Sequence, residues 1–249
     1  MTVHRWAPAS VEDGVEPVLL IHGFASNTLF NWVKTGWLDP LADAGREILS
    51  VDLPGHGASS EINPTGLRIP HLVADLAEVI DQAGGTAAVH GYSLGSRIAW
   101  ELAYEHDDAV ASLVMGGSPV TDEVYRVDAE QARAWAAGGE EPSDERTRRF
   151  ITVAAALPDQ NLPHVVELRL SLAQDRLDPT AKVPTVPTLV VAGERDSIAE
   201  GAHALADLVA GTGSPSEFVP LPGRTHVNAL TSATYKSAVL EFLAGHRSG

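Results

Sequence analysis

Six short apolar runs punctuate the chain, and each stops at a small or polar residue. Pro17–Ile21 ends at His22-Gly23, Glu47–Val51 at Asp52 and the turn Pro54-Gly55-His56-Gly57, and Ala87–His90 at Gly91. Ser112–Met115 ends at Gly116-Gly117, Thr188–Ala192 at Gly193, and Glu217–Leu221 at Pro222-Gly223. Runs this short and this continuous fit strands buried on both faces of a parallel sheet, because a strand with one wet face alternates apolar and polar. Between the runs the period changes to that of a helix. Leu72, Val73, Leu76, Val79 and Ile80 form one stripe, with Asp75, Glu78 and Asp81 opposite. Leu205, Leu208 and Val209 mark another stripe, and Tyr235, Ala238, Val239, Phe242 and Leu243 recur at i, i+3, i+4, i+7 and i+8. Repeated strand–helix units predict an α/β fold with a doubly wound, mostly parallel sheet.

One segment breaks the alternation. Residues 119–183 carry no strand signal. Helices are predicted over Val124–Ala137, Ser143–Ala156 and Leu162–Gln174, separated by Gly138-Gly139-Glu140-Glu141-Pro142 and Leu157-Pro158-Asp159. This is long for a single crossover. It predicts a small helical cap (lid), 119–183, inserted in a core formed by 1–118 and 184–249.

The densest chemical signal is Gly91-Tyr92-Ser93-Leu94-Gly95, which follows one apolar run and opens the helical pattern Ser96–Ala103. A serine between two glycines at a strand-to-helix turn is the nucleophile-elbow pattern. The glycines allow close approach of strand and helix, and the helix start supplies unpaired backbone N–H groups.

Composition narrows the chemistry. The 249 residues carry 33 acidic and 17 basic side chains, a net charge of −16, which argues against nucleic acid and anionic membrane surfaces as partners. There is no cysteine, so disulfides, thiol catalysis and thiolate metal sites are excluded. Residues 1–8 lack the apolar core of a signal peptide, and no run approaches the roughly 18 residues of a membrane span. A cytoplasmic location is the expectation.

In open parallel sheets ligands bind beyond the carboxyl ends of the strands. Those ends present Ser93, then Asp196 within Gly193-Glu194-Arg195-Asp196, then His226 within Gly223-Arg224-Thr225-His226. A serine hydroxyl needs an adjacent base. Histidine accepts and returns that proton, and a carboxylate fixes the imidazole tautomer. Of the ten histidines, His226 follows a strand late in the chain, whereas His203 lies in a helical stripe and His246 in the tail. The competing acids are Glu194 and Asp122. An oxyanion hole takes two N–H donors, here expected from the backbone of Leu94 and of Phe24. His22 and His56 are read as loop hydrogen-bonders.

Ile21-His22-Gly23-Phe24, Asp52-Leu53-Pro54-Gly55-His56-Gly57-Ala58-Ser59, the Ser93 elbow, Asp196 and His226 together resemble the alpha/beta-hydrolase family from about residue 15 to 245. The resemblance implies a Ser93–His226–Asp196 catalytic triad, the Phe24 and Leu94 amides as oxyanion donors, and a helical lid. Members similar to this one often carry a second histidine where Arg224 stands. Haloalkane dehalogenases and epoxide hydrolases of this fold use an aspartate at the elbow, and dienelactone-type hydrolases a cysteine; Ser93 excludes both groups. Acyl chemistry remains, with a small-molecule carboxylic ester as the first expected substrate and no cofactor or metal required. Thioesterase, lactonase, C–C bond hydrolase, perhydrolase and a slow ligand-sensing receptor are the alternatives. Phe24, Phe30, Trp32 and Trp37 either wall an acyl pocket or pack a helix on the sheet. Tyr92, Phe30, Leu168 and Leu172 are candidate pocket residues. Arg146, Arg148 and Arg149 either recruit an anion or form a solvated helix face.

Overall fold

A computed structural model of the protein describes residues 1–8, 14–121 and 126–247. Its seven-stranded sheet contains β1 (Thr2–Trp6), β2 (Val18–Ile21), β3 (Ile48–Asp52), β4 (Ala87–Tyr92), β5 (Val110–Gly116), β6 (Thr188–Gly193) and β7 (Ser216–Leu221). The order across the sheet is β1-β3-β2-β4-β5-β6-β7. Only β1 runs antiparallel, against β3; every other pairing is parallel. The six strands expected from the apolar runs are present. β1 was not expected. Its residues are half-buried or exposed and mix polar with apolar side chains, so it lacks the continuous signature of a doubly covered strand.

The helices are α1 (Leu38–Asp43), α2 (Ile69–Asp81), α3 (Leu94–Glu105), α4 (Ala129–Ala136), α5 (Glu145–Ala154), α6 (Leu162–Leu172), α7 (His203–Gly211) and α8 (Ala233–Gly245). A single π-helical turn, Leu29–Val33, precedes α1. Successive strand residues serve opposite faces, which is why the runs are apolar throughout. Leu19, Ile21, Val89, Leu113 and Val190 pack with α2, α3 and α7. Val18, Leu20, Ala88, Val114 and Leu189 pack with Trp32, Trp37 and the apolar side of α8. The chain crosses from one side of β2 to the other between β3 and β4, placing a topological switch point at the carboxyl ends of β2 and β4.

α4, α5 and α6 occupy the stretch between β5 and β6. Each starts at a side-chain cap, Asp128, Asp144 or Asn161, that accepts backbone N–H groups of the first turn. These helices lie within the ranges expected from sequence; residues 124 and 125 of the first range fall outside the described residues. They share a small apolar cluster of Ala132, Ala154, Val165, Val166 and Leu170, which also takes in Ala25 from the loop after β2. No described helix is long and apolar enough to cross a membrane.

Candidate active site

β4 delivers Ser93 through a turn that only its two glycines permit. A Cβ on Gly91 would lie 2.3 Å from the Gly95 carbonyl oxygen, and one on Gly95 would lie 2.0 Å from that of Ile21. Ser93 itself sits at φ 55°, ψ −111°, a strained backbone for a residue with a side chain. The surroundings hold it there. Ser93 N–H donates to Gly116 O at 2.8 Å. Ser96 Oγ donates to Gly91 O at 2.7 Å, or to Gly116 O at 2.9 Å. The turn sets the serine at the start of α3, and Leu94 is the first residue of that helix.

β6 and β7 deliver the other two groups. His226 Nε2 lies 3.0 Å from Ser93 Oγ, and His226 Nδ1 lies 2.8 Å from Asp196 Oδ2. The Asp196 side chain is fully buried, whereas 22% of the His226 side chain is exposed. Asp196 Oδ1 accepts the amides of Ile198 and Ala199 at 3.0 and 3.1 Å, which fixes the carboxylate. With a carboxylate as acceptor, Nδ1 carries the proton and Nε2 presents its lone pair to the Ser93 hydroxyl. The competing Glu194 turns elsewhere: its Oε2 accepts Gly223 N–H at 2.9 Å. Asp122 lies outside the described residues.

The loop after β2 approaches from the opposite side. A Cβ on Gly23 would lie 3.3 Å from Ser93 Cβ, so the Gly23–Phe24 backbone borders the nucleophile. Asn31 Oδ1 accepts Gly23 N–H at 3.1 Å. His22 Nε2 accepts Leu53 N–H at 3.0 Å, so its Nδ1–H donates to Gly23 O at 2.7 Å. Burial lowers the His22 pKa, with the Gly23 carbonyl and Asp52 opposing. Buried Asp52 is also held low. Burial opposes ionisation there, but amides of Thr28 and Ala58 and the neighbouring His22 and His4 outweigh it.

The expected pocket residues separate. Tyr92 is 3% exposed and packs on the α8 face with Tyr235 and Val114. Its hydroxyl donates to the His226 carbonyl oxygen, and burial pushes its pKa up, so it remains a donor. Tyr92 thus braces the histidine loop rather than facing substrate. The even position on β4 aims it at the other side of the sheet. Leu168 and Leu172 are fully buried and join the core that contains Leu72, Leu76, Leu94 and Ile98. Phe30 is half-buried beneath Lys34 Nζ, 3.9 Å from its ring centre. Trp32 and Trp37 are buried on the α8 face and take the packing role. Arg148 Nη1 donates to Pro142 O and Ser143 O at 3.1 and 2.7 Å, and exposed Arg149 pairs with Glu145 along α5. Arg146 is exposed on the same helix. Sequence reading missed Phe150, whose ring stacks on Phe24 with centroids 5.2 Å apart and an 11° interplanar angle. It also missed Asn31 and Ser96, whose bonds depend on chain segments that sequence spacing does not bring together. Among the described residues no group of three or more His, Asp or Glu side chains is placed to hold a metal ion.

A mostly parallel α/β sheet, a strained Ser93 elbow and a hydrogen-bonded serine, histidine and aspartate at the carboxyl edge define a narrow class. The family model described as alpha/beta hydrolase fold matches residues 16–141, about half of the chain. The chain belongs to the alpha/beta hydrolase fold family. It is similar to the dihydrolipoyllysine-residue acetyltransferase component of the acetoin cleaving system of Cupriavidus necator, 40% identical over 103 residues, covering 41% of this chain and 26% of that protein. It is also similar to epoxide hydrolase B of Mycobacterium tuberculosis, 32% identical over 114 residues, covering 45% and 31%. The chain therefore matches about a quarter to a third of the length of these relatives. Among solved structures, MenH from S. aureus aligns over 98% of both chains with a TM-score of 0.79 at 16% identity, a likeness of fold.

Proposed function

We propose that the protein is a serine hydrolase that cleaves small to medium carboxylic esters through an acyl-enzyme. The observation that carries this reading is His226 bridging Ser93 Oγ and Asp196 Oδ2 at 3.0 and 2.8 Å. Ser93 Oγ attacks the ester carbonyl carbon while its proton passes to His226 Nε2. The carbonyl π pair moves to oxygen, and the backbone N–H groups of Phe24 and Leu94 receive the oxyanion. The buried Asp196 carboxylate stabilises the imidazolium. His226 then gives the proton to the departing alkoxide, which leaves as alcohol. Water, deprotonated by the same nitrogen, attacks the acyl-serine and releases the acid and Ser93.

The serine separates this reading from epoxide opening, which the epoxide hydrolase relative raises. A serine that opened an epoxide would end as an ether, which water does not cleave under these conditions. An acyl-serine ester is hydrolysed readily. In this reading residues 119–183 act as the cap over the site. The Phe24–Phe150 stack, next to a proposed oxyanion amide, supports a restricted approach, as does the 8% exposure of Ser93. The substrate is a small molecule in solution, and no metal takes part in the steps above.

A panel of p-nitrophenyl esters from acetate to palmitate tests the reading. Turnover should peak at short or medium chains and resist EDTA. No turnover of any ester, or a peak at the longest chain, would overturn it.

A further inference from the structure

The loop after β2 contains a strained residue directly beside the proposed oxyanion donor. Ala25 has φ 54°, in the left-handed region that a Cβ disfavours. Such a backbone persists only where its surroundings hold it. The group that bonds its amide is His56: Ala25 N–H donates to His56 Nε2 at 3.2 Å. The other ring nitrogen is also committed, since Nδ1–H donates to Pro54 O at 3.1 Å. Both bonds fix the ring, and they require the tautomer with its proton on Nδ1.

The ring is 1% exposed. It lies edge-on to Phe24, with centroids 6.2 Å apart, and 5.3 Å from His22. Gly23 N–H is taken by Asn31 and Ala25 N–H by His56, so the amides on either side of Phe24 are both committed. We propose that His56 is a positioning residue for the oxyanion hole: it holds the left-handed turn at Ala25 and so aims the Phe24 N–H at the carbonyl attacked by Ser93. The inference rests on the serine-hydrolase reading above. Burial and the neighbouring His22 depress the His56 pKa to about 3, against the Pro54 carbonyl and Asp52. The lone pair on Nε2 is therefore present throughout the working range of a histidine base.

Kinetics of His56→Leu and His56→Gln beside wild type test this. Leucine can accept nothing from Ala25, whereas glutamine keeps an acceptor and a donor on one side chain. The assays are kcat and KM on p-nitrophenyl butyrate, inhibition by phenylboronic acid, the pH profile of kcat/KM, and Tm. A tetrahedral boronate places an oxygen in the oxyanion hole, so its affinity reports that hole directly. Because a displaced donor costs less than a deleted one, His56→Leu should lower kcat roughly 10–100-fold. Boronate affinity should fall by a similar factor, KM should stay within a few-fold, and the pH inflection should stay in place. His56→Gln should recover most of both losses. If His56→Leu does not fold, His56→Asn, too short to reach Pro54 O and Ala25 N together, should show the same losses.

A folded His56→Leu or His56→Asn protein with lowered Tm but wild-type kcat and boronate affinity overturns the inference. So does a His56→Gln protein as impaired as His56→Leu. Wild-type protein that turns over no ester and takes up no serine-directed phosphonate overturns the hydrolase reading, and the inference with it.

Discussion

Asp196→Asn changes one atom and puts the orientation of His226 to the test. Asp196 Oδ1 accepts the amides of Ile198 and Ala199, and Oδ2 accepts His226 Nδ1–H at 2.8 Å. The two amides only donate. An asparagine here must turn its oxygen toward them and its NH2 toward His226. Nδ1 then has to accept, so the imidazole proton moves to Nε2 and faces Ser93 Oγ. In that tautomer His226 cannot take the serine proton. The opposite amide rotamer leaves two buried N–H groups against an NH2, at about 1–3 kcal/mol for each unmet group. Neither rotamer stabilises an imidazolium as a carboxylate does. The same exchange in a Ser-His-Asp protease lowers kcat about 10⁴-fold, which is about 5 kcal/mol of barrier. The expected loss on p-nitrophenyl butyrate at pH 7.5 is therefore roughly 10³–10⁴-fold, with the protein still folded by circular dichroism. Glu194→Gln, on a side chain that faces Gly223 N–H, should stay near wild type. A folded Asp196→Asn protein within tenfold of wild type would refute the reasoning.

Gly95→Ala should destabilise the whole fold, because its methyl would meet the Ile21 carbonyl at 2.0 Å and neither backbone can give way. An overpacking cost of about 3 kcal/mol lowers Tm by roughly 6–12 °C, so an unchanged Tm would contradict the close approach at the elbow. Leu172→Ala should cost about 2–5 kcal/mol in urea unfolding and leave the ester chain-length profile unchanged, as expected of a core residue. Tyr92→Phe removes a buried donor from the His226 carbonyl and should cost about 1–3 kcal/mol of stability, read by the same unfolding assay. Stability should also fall in acid. Burial holds His56 and His90 at about 3, below the ordinary value near 6.5, so from pH 6.5 down to 3 the unfolded chain binds more protons than the folded one. Stability is intact above pH 6.5 and declines below it by up to about 1.4 kcal/mol per pH unit for each histidine. Buried His22, whose pKa is also lowered, adds to the decline, so His56→Gln should remove only the His56 share, up to about 1.4 kcal/mol per pH unit between pH 6.5 and 5 in urea titrations; an unchanged slope would exclude His56 as a contributor.

The sheet was legible because its strands are buried on both faces, which leaves uninterrupted apolar runs such as Val18–Ile21 and Thr188–Gly193. β1 escaped notice for the complementary reason: a half-exposed edge strand of mixed polar and apolar residues writes a weaker pattern. Ser93, Asp196 and His226 were nominated because strand ends are where open sheets place chemistry, and those three residues sit just past strand ends. What sequence could not give was direction. Tyr92 directly precedes Ser93, yet strand alternation turns it to the opposite face, under the histidine loop. Leu168 and Leu172 share a helical stripe, but whether a stripe meets substrate or core depends on where α6 docks. His56 is the loop hydrogen-bonder the sequence suggested, but its partner, a left-handed alanine in another loop, is not announced by either loop's composition.

Mass spectrometry of the protein after exposure to a fluorophosphonate tests the central claim most directly. The account predicts one adduct per chain, mapped to Ser93. Ser93→Ala should remove that adduct and lower ester turnover by roughly 10⁴–10⁶-fold while the protein stays folded. An adduct at another residue, or ester turnover that survives in Ser93→Ala, would contradict it.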